Sequence, residues 1–520
     1  MYRQLNGLKA WYGELEAERT PYLNRAEKAS YYTLPWYIKE DTCKGETLDT
    51  PYQSVGSAGV QNLASRLVMV LLPPNRPMFR LRVARRIIAE TTGNTQKEKL
   101  ITEISSALSR IETEATGLME AIGDRTQMYT AMQHLLIAGN CLLYVRPDGM
   151  KVYSLRNYVV QRDPDGNPLT IIVKEEIARD ALPKEVRRKL KSESLEQHEP
   201  TPPDNICEIY TAIVRRGDKW LVRQECEDIL VGKPGVYPLD ECPWIPLRLY
   251  RAEEEDYGRG YVEQYYGSLY ALSVLSEAIL DAAAASAKVV FLVHPGAVTK
   301  ADTLAKADNL SFVAGRAEDI DILKLDKTND LKIAQAQAQE LTQQLSKAFL
   351  MNTAIQRDAE RVTAEEIRYM AQELETALGG LYSVLAKELQ RPYINLRLTY
   401  LQDARKLEPF PPDVEVEVIT GIDALGRGQD ATTLTQFGTQ LFKTLPPDAV
   451  IQYINIPGYV KALAAAYGID DTTVLKSEEQ LAQQQAQQQQ QALIEKLGPN
   501  AINAGSQLLQ KTMEGEQPNV

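Results

Sequence analysis

Residues 262–287 read VEQYYGSLYALSVLSEAILDAAAASA, and they decide what kind of molecule this chain builds. Val262, Tyr265, Tyr266, Leu269, Leu272, Leu275 and Ile279 recur at helical spacing and run into Asp281-Ala282-Ala283-Ala284-Ala285-Ser286-Ala287. Side chains that small suit close helix–helix contact, here between copies of the same chain. A short β-like interlude follows, from Val289-Val290-Phe291-Leu292-Val293 to Leu325. The chain then contains no Gly or Pro from Arg316 to Leu378, and Asp330 to Met351 reads as a second helix. Two long helices joined by a small β insertion are the frame around which the rest is read.

On the N-terminal side, Thr20-Pro21 reads as an N-cap and first-turn proline, with Tyr22, Leu23, Ala26 and Ala29 at helical spacing. Val55-Gly56-Ser57-Ala58-Gly59-Val60-Gln61-Asn62-Leu63-Ala64-Ser65-Arg66 is a small-residue helix entering a core at Leu67 to Leu72. It ends at Pro73, Pro74 and Pro77. Leu100, Ile104, Leu108, Ile111, Leu118 and Ile122 form an amphipathic stripe. From Cys141 to Val173 the period shortens to β-type runs, punctuated by Pro147-Asp148-Gly149 and Asp163-Pro164-Asp165-Gly166 turns. Further strands are expected over Ile206 to Val214 and Trp220 to Gln224. The proline-bearing stretch Cys242-Pro243-Trp244-Ile245-Pro246-Leu247 is expected to close this α+β module.

On the C-terminal side, Thr363-Ala364-Glu365-Glu366 is a capping box opening a third helix. Ile367, Met370, Leu374, Leu378, Leu381, Val384 and Leu385 continue that helix, with a kink expected at Gly379-Gly380. Val414-Glu415-Val416-Glu417-Val418 alternates as a strand with one wet face, and the Gln-rich stretch from Ser477 to Leu497 is helix-compatible. The fold class is therefore α+β, predominantly helical.

With 520 residues, several compact units are expected. The hydrophobic fraction of 44% and charged fraction of 25% are those of an ordinary water-soluble chain. By runs of consecutive apolar residues no membrane span is expected, Leu67 to Leu72 being the best candidate and Pro73-Pro74 stopping it. The N-terminus lacks the apolar region of a signal peptide, so synthesis in a cytoplasm is expected. Cys43, Cys141, Cys207, Cys226 and Cys242 never stand at C-x-x-C spacing and read as reduced structural thiols. A formal net charge of −12 disfavours a tight nucleic-acid grip. It suits a conduit whose acidic wall repels phosphates while a few basic residues touch them.

Catalytic and cofactor signatures are absent. No phosphate-loop motif, H-E-x-x-H or G-x-S-x-G occurs, and the three histidines, His134, His198 and His294, are scattered. His134 lies in an apolar helical stretch and reads as a satisfied core histidine. Gly426-Arg427-Gly428-Gln429-Asp430-Ala431 fits G-x-G-x-x-A, but the wet Glu415 and Glu417 contradict a buried parallel strand before it. A glycine turn feeding a helix capped near Asp430 is the reading taken. Lys184, Arg187, Arg188, Lys189 and Lys191 interleave with Glu185 and Glu193 as a solvated helix face. Arg357, Arg361 and Arg368, around the capping box, would become a positive belt if the chain repeated in a ring.

Several strings, in one order over most of the chain, resemble the head-to-tail connecting, or portal, proteins of T7-like short-tailed bacteriophages. They are Val55-Gly56 to Leu67, Ala138-Gly139-Asn140-Cys141-Leu142-Leu143-Tyr144, Tyr158-Val159-Val160-Gln161-Arg162-Asp163, Tyr257-Gly258-Arg259-Gly260-Tyr261, Glu360-Arg361-Val362-Thr363-Ala364-Glu365-Glu366-Ile367-Arg368-Tyr369 and Gly426-Arg427-Gly428-Gln429-Asp430.

The resemblance implies a subunit with a wing (1–256), a first stem helix (257–287), a clip (288–328), a second stem helix (329–351) and a tunnel loop (352–362). A long kinked helix would then return to the wing (363–454), and a C-terminal helical crown and flexible tail would complete it (455–520). Such subunits assemble into a ring, typically a dodecamer, at one capsid vertex. The ring is the channel for packaging and ejecting double-stranded DNA and the initiator of procapsid assembly. Arg357, Arg361 and Arg368 are the DNA-channel candidates. The implied partners are double-stranded DNA, a terminase that carries the ATP hydrolysis, major capsid and scaffolding proteins, tail adaptor and nozzle proteins, and internal core proteins. No membrane, cofactor, metal or catalytic residue is implied. The location would be the virion, with host cytoplasm during assembly. The alternative is another structural virion component, from the tail or internal core.

Overall fold

In the computed structural model the described residues are 7–39, 47–74, 78–83, 95–194, 206–287, 290–308, 311–323, 328–351, 373, 374, 376, 384–407, 414–418, 426–444, 459, 460 and 463. They fall into two compact units, residues 1–424 and 425–520.

The first unit is organised on helix α4 (Asp124–Ala138), whose last eight residues are all buried. A helix covered all round needs apolar or small side chains on every face, and Ala131, Met132, Leu135, Leu136, Ile137 and Ala138 supply them. Around it pack α1 (Leu8–Tyr31), α2 (Val55–Leu71) and α6 (Tyr261–Ala287), together with strands β2 (Asn140–Arg146) and β3 (Gly149–Tyr153).

Helix α1 begins well before Thr20-Pro21, so that dipeptide is not its start. Leu8, Tyr12, Leu15 and Arg19 all lie buried on one face, and that burial carries the helix through Pro21. The Thr20 hydroxyl donates to the Glu16 carbonyl at 2.8 Å instead of capping.

The module holds two antiparallel sheets. The larger has the order β4 (Tyr158–Arg162), β5 (Pro168–Ala178), β6 (Ile206–Arg216), β7 (Lys219–Cys226), β8 (Ile229–Pro238). Val159, Ile172 and Ala212 stand opposite one another across three strands. They face α1 through Leu8, Tyr12 and Leu15. The alternate residues Tyr158, Val160, Ile171, Val173, Ile213 and Val222 join the opposite core with Leu142, Tyr153 and Trp244. Period-2 alternation thus serves two cores, one on each face.

The smaller sheet has the order β3-β2-β9, where β9 is Trp244–Arg248. The stretch expected merely to close the module is therefore a strand, with Pro246 paired opposite Leu142. Proline is tolerated there because β9 is an edge. Strand β8, another edge carrying Pro234 and Pro238, was masked by the same residue type. Helix α5 (Lys184–Ser194) covers the far end of the larger sheet through Val186, in a cluster with Leu182, Cys207, Ile209, Cys226 and Val231. Lys184, Arg188 and Lys189 point to solvent, as a wet helix face requires.

The wet strand Val414–Val418 (β12) pairs antiparallel with β1 (Phe79–Val83), a strand the sequence reading did not mark. Arg80 stands opposite Glu417 and Arg82 opposite Glu415, and Arg82 Nε lies 2.9 Å from Glu417 Oε2. Opposite charges at cross-strand positions explain why two polar faces meet. The antiparallel pairing also removes the parallel strand a dinucleotide fold needs. On the other side of β1, Leu81 N–H donates to Glu112 on α3 (Thr95–Ile122) at 2.7 Å.

Helix α6 leaves this module carrying two different environments. Tyr261, Val262, Leu269, Leu272 and Ser273 are buried, whereas Tyr270, Val274 and Leu280 are 45–55% exposed. Tyr261–Ala285 is long and apolar enough to cross a membrane by length and composition, with 17% of its most apolar window buried. The expectation that no stretch reaches that measure is corrected here. Counting uninterrupted apolar runs missed it because Gly267, Ser268, Ser273, Ser276, Glu277 and Asp281 divide a helix that is apolar on average.

After α6, β10 (Val290–Val293) and β11 (Ile320–Leu323) form a two-stranded sheet around the short helix α7 (Ala301–Ala305). Its loops are tied by Thr299, whose hydroxyl donates to Asp319 Oδ2 at 2.8 Å and accepts from Arg316 N–H at 3.0 Å. The hydrogen bond from Thr299 holds the Asp319 carboxyl below its ordinary range. Phe312 at the loop tip is fully exposed.

Helix α8 (Thr328–Ala348) then returns alongside α6. Helix α9 (Arg391–Asp403) follows a π-helical turn at Ala386–Gln390. The expected kink at Gly379-Gly380 lies outside the described residues. Arg397 on α9 is fully buried and spends its guanidinium on the Arg146 and Gly149 carbonyls and on Asp124 of α4.

In the second unit, α10 (Gly426–Thr444) starts at Gly426 itself. The Gly426-Arg427-Gly428-Gln429-Asp430 string is thus the first turn of the helix and not a turn before it. Tyr459 donates its hydroxyl to the Leu434 carbonyl at 2.6 Å.

Candidate nucleic-acid interface

Three of the resemblance strings, far apart in sequence, meet at one knot. Helix α4 ends at Gly139 in the left-handed conformation, φ 71°, as helix termini favour. A Cβ there would lie 2.2 Å from the Arg259 carbonyl carbon, and one at Gly260 would lie 2.3 Å from the Ile137 oxygen. Two backbones touch at these positions, so neither tolerates a side chain. Asn140 clips them together. Its amide donates to the Ala138 and Gly258 carbonyls at 2.9 and 2.7 Å, and its oxygen accepts from Gly258 N–H at 2.7 Å.

From the third string, Val160 N–H donates to the Tyr257 hydroxyl at 3.0 Å, and Arg162 N–H donates to Asp256 at 2.9 Å. Burial drives the Tyr257 hydroxyl well above its usual range and so keeps it protonated. Burial first, and then the neighbouring Arg248, push Arg162 down to about 10. Its guanidinium is satisfied by the carbonyls of Asp256, Gly166 and Pro246 at 2.9 to 3.0 Å. The first residue of α6 is thereby fixed against α4 and the sheet.

A second junction lies where α8 ends. Phe349 is fully buried against Tyr261 and Tyr265 of α6, both ring centroids 5.7 Å away. On its other side is Gly59 of α2, where a Cβ would stand 2.5 Å from the Phe349 ring. The Tyr261 hydroxyl donates to the Ala348 carbonyl at 2.7 Å. On the same face of α2, Asn62 donates to the Phe349 and Leu350 carbonyls at 2.9 and 3.1 Å. One turn on, Arg66 Nη1 lies 2.7 Å from Glu373 Oε2.

The DNA-channel candidates Arg357, Arg361 and Arg368 lie outside the described residues. What the structure gives is the frame that flanks them, Met351 on one side and Glu373 on the other. The capping box at Thr363 and the region from 464 onward also lie outside. Asn62, Arg66, Phe349 and Glu373 were not picked out by sequence reasoning. The Val55–Leu67 string was noticed for its small residues, and the four-residue spacing of Asn62 and Arg66 was visible, but their partners stand 287 and 307 residues away.

Among the described residues no group of His, Cys, Asp and Glu has the arrangement of a metal site. Cys141, Cys207, Cys226 and Cys242 are buried free thiols, and Cys43 lies outside the described residues. His134 is buried as expected, and among the described residues its Nδ1 has no hydrogen-bond partner. Its ring packs edge-on to Tyr37 at 4.8 Å, and burial lowers its pKa to about 4.

Comparison with known proteins bears on the whole chain. It is 38% identical over 488 residues to the portal protein of Escherichia phage T7, covering 91% of this chain and 89% of that protein. It is 37% identical to the portal protein of Enterobacteria phage T3, again covering 91% and 89%. The portal protein of Pseudomonas phage phiKMV is 30% identical, covering 87% of this chain and 89% of that protein. Among solved structures, a chain from the virion of a native gene transfer agent particle aligns with a TM-score of 0.35 at 12% identity, covering 82% of this chain and 92% of that one; a score that low carries no weight here. The family model for bacteriophage head to tail connecting proteins matches residues 5–475, and with that match spanning both described units, the chain belongs to the bacteriophage head to tail connecting protein family.

Proposed function

We propose that copies of this chain close into a dodecameric ring that occupies one capsid vertex and passes double-stranded DNA during packaging and ejection. Within it, residues 1–256 form the wing, 257–287 and 329–351 the stem, 288–328 the clip, and 352–362 a tunnel loop. Residues 363–454 return to the wing and 455–520 build the crown. The observation that carries this reading is α6. Its second half presents Val274, Leu280 and Ala283 to Ala285 to solvent in the single chain, although the same helix is anchored by a rigid knot at its first residue. Apolar surface held rigidly outward is stabilised when a partner covers it, and in a closed ring the neighbouring copy does so on both sides.

The chain's part is mechanical. Terminase, docking at the clip, supplies the ATP hydrolysis, and tail adaptor and nozzle proteins later take its place. Capsid, scaffolding and internal core proteins meet the wing and crown. Arg357, Arg361 and Arg368 of every copy supply a positive belt in a bore that is otherwise acidic, so phosphates are touched but not gripped.

Electron microscopy of the purified protein tests the assembly. Rings with a central channel of roughly 20 Å or more, the width a DNA duplex needs, are expected, and their rotational order gives the copy number. Monomers or open filaments at high concentration would count against the ring and favour another structural virion component. Charge reversal of the three arginines should change DNA retention in rings that still assemble.

A further inference from the structure

We infer that the exposed stripe of α6 is covered by α8 of the next copy, with Lys332 of that copy reaching Glu277 and Asp281. The inference rests on the ring proposed above and names the contact that closes it.

Each of the two helices has a stripe that its own chain leaves open. On α6, Tyr270, Val274, Glu277 and Asp281 follow at i, i+4, i+7 and i+11 and are all exposed, whereas Leu269 and Leu272 on the other side are buried. On α8, Lys332, Ala336, Gln339 and Gln343 share a stripe and are all exposed, whereas Leu345 and Phe349 on the other side are buried. The buried sides meet where Phe349 packs on Tyr261 and Tyr265, so within one chain the two open stripes point away from each other.

The stripes match in charge and in height. Helix α6 holds no Lys or Arg, and among the described residues Glu277, Asp281 and Lys332 form no ion pair. Phe349 lies between Tyr261 and Tyr265, which sets the two antiparallel helices in step. With the same rise of about 1.5 Å per residue they stay in step. Lys332 is therefore level with Leu280, between Glu277 and Asp281. The turn from Ala336 to Gln339 spans the level of Val274, and Gln343 stands at that of Tyr270.

Rotation about a ring axis leaves height along it unchanged, so helices standing along that axis keep the same steps between copies. The lysine of the next copy then faces two acids, its small Ala336 leaves room for Val274, and its Gln343 amide meets the Tyr270 hydroxyl. Two α6 stripes brought together would instead set acid against acid. The contact is thus heterologous, the kind that a rotation closes into a ring.

Thiol crosslinking of the full-length protein tests this. Every position used is exposed, so the single chain keeps its fold. Val274→Cys with Ala336→Cys in one chain, treated with a short bismaleimide, should give a ladder of covalent multimers that the chain without added cysteines does not give. Val274→Cys protein mixed before assembly with Ala336→Cys protein should stop at dimers. Dimers from Val274→Cys alone would place α6 against α6 and overturn the inference. Rings in the microscope without a ladder would also overturn it, leaving the ring and removing α8 as its cover. Monomers without a ladder remove both, whereas a ladder from open filaments keeps the contact and removes closure. Asp281→Lys should raise the concentration needed for assembly roughly tenfold, and adding Lys332→Asp should return it to within about threefold. A swapped protein that assembles no better than Asp281→Lys overturns the pairing of Lys332.

Discussion

The five-stranded sheet and the far half of α6 are both rich in apolar residues, yet they satisfy them in opposite ways. In the sheet, Ile171, Ile172 and Val173 are consecutive and all buried, because α1 covers one face and the smaller sheet's core covers the other. In α6, Tyr270, Val274 and Leu280 are as apolar in character and stay exposed. The difference separates a region that folds for itself from one built for a neighbour. Hydrophobicity alone does not distinguish them, but the presence of covering elements in the same chain does.

The sharpest way to break that comparison is to attack the self-sufficient region at its buried hub. Arg397→Ala removes the charged partner of Asp124, leaving it the Tyr393 hydroxyl, and takes the guanidinium from the Arg146 and Gly149 carbonyls, and should cost about 3–5 kcal/mol in urea unfolding of the chain. Loss of oligomer with unchanged chain stability would refute the hub.

Acid should come next. The His134 pKa is depressed by burial from an ordinary value near 6.5 to about 4, so the unfolded chain binds the proton more readily than the folded one. Its contribution is complete above pH ~6.5 and is lost as pH falls towards 4, up to about 3 kcal/mol in all. His134→Gln should flatten that part of the stability–pH curve, and an unchanged curve would show that other groups carry it.

Gly139→Ala places a side chain against the Arg259 backbone at a left-handed residue and should cost roughly 2 kcal/mol, read as a lowered thermal midpoint.

The smallest effect on the chain itself belongs to α6. Leu280→Ser should alter single-chain stability by no more than ~0.5 kcal/mol while shifting sedimentation towards smaller species. If it destabilised the monomer instead, the contrast between the two regions would fail.

Helical period marked α3 and α6 from sequence because each buries one stripe against a fixed neighbour, and α8 was marked by the absence of Gly and Pro from Arg316 to Leu378. Short β-type runs bounded by turn residues marked β2 and β4, and β6 was marked as a further strand. What escaped depends on context that local pattern does not carry. Strands β8 and β9 hide behind prolines that only an edge position permits, and β1 behind arginines that only the glutamates of β12 explain. Thr20-Pro21 looked like a beginning because helices tolerate proline best there, whereas the pull of Leu8, Tyr12 and Leu15 onto the sheet overrides it. Of the candidate site, the strings around Asn140 and Gly258 were visible as strings. Their convergence was not, since nothing in either shows that one asparagine will grip the other's backbone.

The pairing of β1 with β12 also sets a clock. Val414 trails its partner Val83 by 331 positions, so on a ribosome adding about 5–20 residues per second, β1 waits roughly 15–70 s for its mate to be made. Throughout that interval its edge is open to any passing strand. Arg80 and Arg82, standing alternately along it, give the nascent chain a repulsive guard against its own siblings on the same message, and the glutamates that arrive last disarm it.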